Sequence, residues 1–155
     1  MTIRTGAWII SLAFAIGLCA SFAEAQSKAS VSGTWKMNPQ KSKFEKGGPD
    51  AITIKFDQDG TKLTEILTLS GQQGERSLNL NYTTDGKESV NQVMEEDAKC
   101  TAKWDGASLV LEWKVRDLSF ARKLTLSEDG KSMTMAVRQS GPQGETNDTV
   151  VLEKQ

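Results

Sequence analysis

Four Asp-Gly pairs, Asp59-Gly60, Asp85-Gly86, Asp105-Gly106 and Asp129-Gly130, divide the chain from Val31 onward. Glycine takes the positive φ that a tight hairpin turn demands and aspartate tolerates it better than most residues, so each pair marks a reversal of chain direction. Between these marks apolar residues recur with a period of two, the pattern of a strand with one buried face. The spacing predicts ten strands: Val31–Met37, Ala51–Asp57, Lys62–Leu69, Glu75–Thr83, Glu88–Met94, Ala98–Trp104, Ser108–Arg116, Leu118–Leu126, Ser132–Gln139 and Glu145–Glu153. Asn38–Pro49 carries two prolines and two glycines and reads as a loop, with at most one helical turn around Lys41–Phe44. No other stretch has helical character.

The segment 54–75 echoes 124–145 without gaps. Asp59-Gly60 meets Asp129-Gly130, Thr64 meets Thr134, and Ser-Gly-x-Gln-Gly-Glu recurs at 70–75 and 140–145. A repeated hairpin suits an all-β plan. Strands joined in this way leave exposed edges unless the sheet closes on itself, so the expected fold is an antiparallel up-and-down barrel of about 8–10 strands. A two-sheet sandwich is the alternative.

Alternation assigns the inner face. Ala98, Cys100, Ala102 and Trp104 share one side of their strand; Leu109, Leu111, Trp113 and Val115 share one side of the next. Leu118, Phe120, Leu124 and Leu126, then Met133, Met135 and Val137, continue that wall, with Leu78, Leu80 and Tyr82 opposite. Two charges fall on the inward register, Glu65 between Leu63 and Leu67, and Arg122 between Phe120 and Leu124. A buried charge is costly unless paired, so each demands a partner. Either the two pair with each other, or a bulge turns one outward, or Arg122 presents its planar fork to a ligand carboxylate. The first two readings, taken together, are favoured over the third.

Residues 1–25 read as a secretory signal: Arg4 precedes an uncharged apolar run from Ala7 to Phe22, and Ala23-Glu24-Ala25 fits the small-x-small cleavage pattern. The run is 16 residues long, short of the roughly 20 a membrane span needs, so a retained anchor is the lesser reading. Leu18 before Cys19 is not the small residue a lipidation signal wants. Cleavage would leave Gln26–Gln155 as one exported, periplasmic or extracellular domain with no stable membrane insertion. That part keeps only Cys100, which excludes an intrachain disulfide and reads as an inert buried thiol. The net charge is −1 with both signs interspersed, which gives no electrostatic handle on nucleic acid. The chain has no histidine, which removes Ser-His and Cys-His dyads and histidine-ligated zinc. Glu95-Glu96-Asp97 lacks the spaced oxygens of a calcium loop, so no metal and no cofactor is expected.

Ser32-Gly33-Thr34-Trp35-Lys36, opening the first strand, resembles the G-x-W signature of the lipocalins and the G-T-W-K opening of the fatty-acid-binding proteins, which together form the calycin group. More specifically, the chain resembles small exported bacterial proteins with a lipocalin-like domain. The resemblance implies that Gly33 and Trp35 sit at the closed end of the barrel. In lipocalins an arginine of the last strand packs across this tryptophan. Here that strand offers only Lys154, so Arg138 or Arg122 would serve or the contact is missing. Asn38–Pro49 is also too short for the two-helix lid of the fatty-acid-binding proteins.

A barrel near this strand count either just fills its interior or holds one small ligand. The leading expectation is a non-enzymatic binding protein for a small hydrophobic or amphipathic, fatty-acid-like molecule. The candidate contacts are Glu65, Tyr82, Arg122, Trp104, Trp113 and Phe120, together with Leu111, Met133 and Met135. A protein-interaction module or small inhibitor acting through the loops Lys41–Pro49 and Ser140–Glu145 comes second, with the partner unspecified. A carboxylate enzyme built on Glu65 comes third.

Overall fold

A computed structural model describes residues 30–155. The secretory reading of residues 1–25 lies outside the described residues. Ten strands follow one another: β1 Gly33–Met37, β2 Ala51–Asp59, β3 Lys62–Gly71, β4 Gly74–Thr83, β5 Ser89–Val93, β6 Glu96–Asp105, β7 Ser108–Val115, β8 Leu118–Leu126, β9 Ser132–Gly141 and β10 Gly144–Lys154. They form one antiparallel sheet in the order β4-β3-β2-β1-β10-β9-β8-β7-β6-β5. Each strand lies beside its neighbours in sequence, and β1 pairs β10 through Trp35↔Lys154 and Met37↔Leu152, wrapping the meander into a barrel. The sandwich alternative is thereby excluded.

The echoed hairpins are a structural repeat. β3–β4 and β9–β10 turn over two residues between the facing pairs Gly71↔Gly74 and Gly141↔Gly144. Gly74 and Gly144 adopt nearly the same positive φ, 98° and 99°, a conformation closed to most side chains. The four Asp-Gly glycines also have positive φ, between 58° and 82°.

The two strands at the ends of the sheet, β4 and β5, share no backbone ladder. Two side chains of β5 bridge them. The Asn91 amide accepts from the Asn81 backbone N–H (2.7 Å) and donates to the Asn81 carbonyl (2.9 Å), doing for one residue what a paired strand would do. Ser89 Oγ donates to the same carbonyl at 2.8 Å. Asn91 is buried, as an amide in this role must be if its polar atoms are to stay satisfied.

The chain between β1 and β2 is a loop with its turn at residues 39–41, earlier than the helical turn expected around Lys41–Phe44. It lies along the upper half of β10. Lys43 exchanges two backbone hydrogen bonds with Thr149 (2.7 and 2.9 Å), and the Asn38 N–H donates to the Val151 carbonyl at 2.8 Å. The Glu45 N–H donates to Asp148 Oδ1 and the Asn147 N–H to Glu45 Oε2. An irregular segment thus extends the β1 edge without a lid.

Candidate functional site

Inward residues divide by height in the barrel. At the end carrying the Asp-Gly turns, Trp35, Phe56, Leu63, Leu109, Leu124, Met133 and Leu152 are fully buried. Trp35 closes this end: its Nε1–H donates to the Val31 carbonyl at 2.8 Å, and Lys154 Nζ stands 5.4 Å from the ring centroid. The lysine itself makes the contact for which Arg138 or Arg122 was the expected provider. Arg138 instead pairs Glu145 on the surface, and Arg122 pairs Glu65. Gly33 suits this position because its φ of 130° is a backbone conformation that side chains rarely adopt.

Above this floor Glu65 on β3 and Arg122 on β8 meet across the lumen. In the order of the sheet four strands separate them on either side, so they stand on opposite walls. Arg122 Nη1 donates to Glu65 Oε1 at 2.5 Å and Nη2 to Oε2 at 2.7 Å, a two-pronged ion pair with Glu65 at 0% and Arg122 at 4% exposure. The Tyr82 hydroxyl, 3.2 Å from both Glu65 Oε2 and Arg122 Nη2, completes a triad. Of the readings left open for these charges, pairing with each other is the one found. Burial alone would lower the Arg122 pKa, but Glu65 and Tyr82 outweigh it and hold the guanidinium above its ordinary value. Burial is also the largest influence on Tyr82 and pushes its phenol well up, with Glu65 adding and Arg122 opposing. One donor of the triad has no acceptor: Arg122 Nε is buried and unpartnered. Such an orphan costs about 1–3 kcal/mol in a folded protein.

Toward the opposite end burial is uneven: Ile52, Ile54, Leu67, Val93, Ala98, Trp113 and Val115 are buried. Leu69, Leu78, Leu118, Phe120 and Val137 are only half-buried. Trp113 and Phe120, facing each other across β7 and β8, stack with ring centroids 3.9 Å apart at 23° and form one side of this opening. The rim holds three adjoining clefts. One of about 280 Å³ lies among Met94, Glu96, Val115, Arg116, Leu118 and Pro142, and another of about 280 Å³ among Leu118, Gln139 and Gly141–Gly144. The third, about 170 Å³, is polar and is bounded by Lys46, Gln139, Thr146 and Asp148. Three non-glycine residues with positive φ, Met94, Glu95 and Arg116, form hairpin tips at this mouth.

The remaining candidates fall around this scheme. Leu111, Met133 and Met135 are buried wall residues; Trp104 is half-buried near the floor with its Nε1 buried and without an acceptor. Cys100 is a free, buried thiol whose pKa burial raises. Among the described residues no cluster of acidic and cysteine side chains could hold a metal, and no helix is long and apolar enough to cross a membrane. Sequence reasoning missed Asn91. Its signal was a polar residue on the inward register between Ser89 and Val93, the same kind of break that exposed Glu65 and Arg122.

No protein-family model matches the sequence, and no curated protein sequence matches it significantly. Solved structures do match the fold. A secretory abundant heat soluble protein from Ramazzottius varieornatus superposes with a TM-score of 0.64 at 15% identity, over 81% of this chain and 95% of the other. Zebrafish ileal bile acid-binding protein complexed with cholic acid gives 0.59 at 16% identity, over 80% and 98%. Apo lipid binding protein 8 of Caenorhabditis elegans gives 0.57 at 12% identity, over 80% and 94%. The chain therefore shares the fold of these proteins. At these identities the likeness is one of fold.

Proposed function

We propose that this protein is an exported, non-enzymatic carrier that holds one small hydrophobic or amphipathic molecule in the upper half of its barrel. The observation that carries the reading is a set of inward apolar side chains at the mouth that stay only half-buried. Beyond the Glu65–Arg122 pair Leu69, Leu78, Leu118 and Phe120 stay half-buried beside the rim clefts, while Ile52, Ile54, Leu67, Trp113 and Val115 form a buried wall. Apolar surface facing a concave interior gains from covering, and sites for small molecules are mostly apolar with a few placed polar groups. The similar barrels named for bile acid and lipid binding support the same reading. Its exported character rests on residues 1–25, and its likeness to lipocalin-like exported proteins on Gly33-Thr34-Trp35.

The competing readings lose support from particular contacts. Phe44, the aromatic that the loop Lys41–Pro49 could offer a protein partner, is half-buried and lies against Gly48 and the core. Both oxygens of Glu65, the carboxylate an enzyme would need, are held by Arg122 and Tyr82.

The test is native mass spectrometry of the purified protein with dodecanol, methyl dodecanoate and dodecanoic acid, with tryptophan fluorescence as a second readout. Saturable uptake of one molecule per chain of any of the three is the expected result. An unchanged apo mass and unchanged fluorescence with all three would contradict the carrier reading.

A further inference from the structure

We infer that the ligand of this barrel carries an uncharged, hydrogen-bond-accepting head, such as an alcohol, ester or ketone, and that Glu65 excludes carboxylates. This inference rests on the carrier reading above and narrows its ligand class. An inward arginine in an apolar barrel would ordinarily attract an anion, since its planar fork matches a carboxylate. Here an internal carboxylate from the opposite wall already takes that geometry with both prongs, at 2.5 and 2.7 Å. The site is thus neutral before any ligand arrives. A carboxylate ligand would place a second negative charge against Glu65 in a dry interior, where like charges repel strongly and neither can be solvated.

What the triad still lacks is an acceptor without charge. Arg122 Nε–H is buried and unpartnered on a side chain 4% exposed. The Tyr82 hydroxyl lies within reach of both charged partners and keeps its proton, so it adds no anion to the group. Among the described residues no other inward cation stands at this level to receive a carboxylate. The neighbours of Arg122 across β7 and β9 are Leu111 and Val137, and those of Glu65 across β2 and β4 are Phe56 and Leu80. An oxygen that accepts one hydrogen bond and carries no charge fits this inventory, and an anion does not.

The experiment compares three probes with one tail: dodecanol, methyl dodecanoate and dodecanoic acid, titrated into the wild-type protein at a pH where the acid is fully ionised. The two neutral probes should bind at least about tenfold tighter than the anion, roughly the discrimination of one mismatched polar contact. Equal or tighter binding of the dodecanoate ion would overturn the inference while leaving the carrier reading intact. Failure of all three to bind would remove the carrier reading itself. Glu65→Gln, which releases Arg122 from its partner, should reverse the order in favour of the anion. A folded Glu65→Gln protein that keeps the wild-type order would also count against the role given to Glu65. If that variant does not fold, the wild-type series decides by itself.

Discussion

The floor and the mouth of this barrel are lined by the same kinds of side chain and differ in what those side chains touch. At the floor, Leu63, Leu109, Leu124, Met133 and Leu152 are fully buried along with Trp35, and the strand-connecting turns are short Asp-Gly reversals. At the mouth, Leu69, Leu78, Phe120 and Val137 occupy equivalent inward positions and remain half-exposed. Between the two stands an ion pair that joins opposite walls. A small barrel whose inner face is wholly sealed is a packed core, and one open at a single end is a cup. The Glu65–Arg122 pair is the level beyond which burial becomes uneven: Ile52, Leu67 and Val115 stay buried while Leu69, Leu78 and Phe120 do not.

The largest effect should come from breaking that level. Arg122→Ala leaves Glu65 as an uncompensated buried charge and should cost about 3–5 kcal/mol in denaturant unfolding. Replacing both together, Glu65→Leu with Arg122→Met, should recover most of that loss, because apolar residues of similar volume often match a buried pair in stability. Next, Leu124→Ala at the floor should destabilise by about 2–5 kcal/mol, through lost burial and the cavity left behind. Leu78→Ala at the mouth should cost less, about 1–2 kcal/mol, because part of that side chain stays in water. Equal costs at the two positions would remove the distinction between the ends. Asn91→Ala unpairs the Asn81 backbone at the seam between β4 and β5 and should cost about 1–2 kcal/mol, with faster amide exchange along both strands.

The smallest effect concerns Tyr82. Its phenol is held above the ordinary value near 10, so the unfolded chain ionises first as pH rises. Stability is therefore complete below about pH 10 and falls above it, with Tyr82 adding at most about 1.4 kcal/mol per pH unit. Tyr82→Phe should shallow this alkaline slope and leave the neutral-pH dependence unchanged.

All ten strands could be read before the structure because period-two alternation and Asp-Gly turns are local signals, and the barrel's turns and faces agree with them. Bounds shifted by a residue or two where hairpins such as Gly71–Gly74 and Gly141–Gly144 run straight into their turns. The inward phase of Glu65 and Arg122 was equally legible. Their pairing was legible only as one of the open readings, since they are 57 residues apart and meet only when the closed barrel sets β3 opposite β8. The partner of Trp35 was misjudged for a similar reason. The flexible stem of Lys154 reaches the ring from the neighbouring strand, and residue type alone favours an arginine there. The loop after β1 was read correctly as irregular, but its seating on β10 depends on Asp148 and Thr149, more than a hundred residues away.

The central claim is that ligand enters the mouth and stops above the Glu65–Arg122 level. It is tested most directly with dodecanol brominated along its tail and two variants, one keeping Trp113 and one keeping Trp35, with every other tryptophan changed to phenylalanine. The account predicts saturable quenching of Trp113, which lines the opening, and none of Trp35, which lies sealed in the floor. Equal quenching of both, or quenching of Trp35 alone, would contradict it.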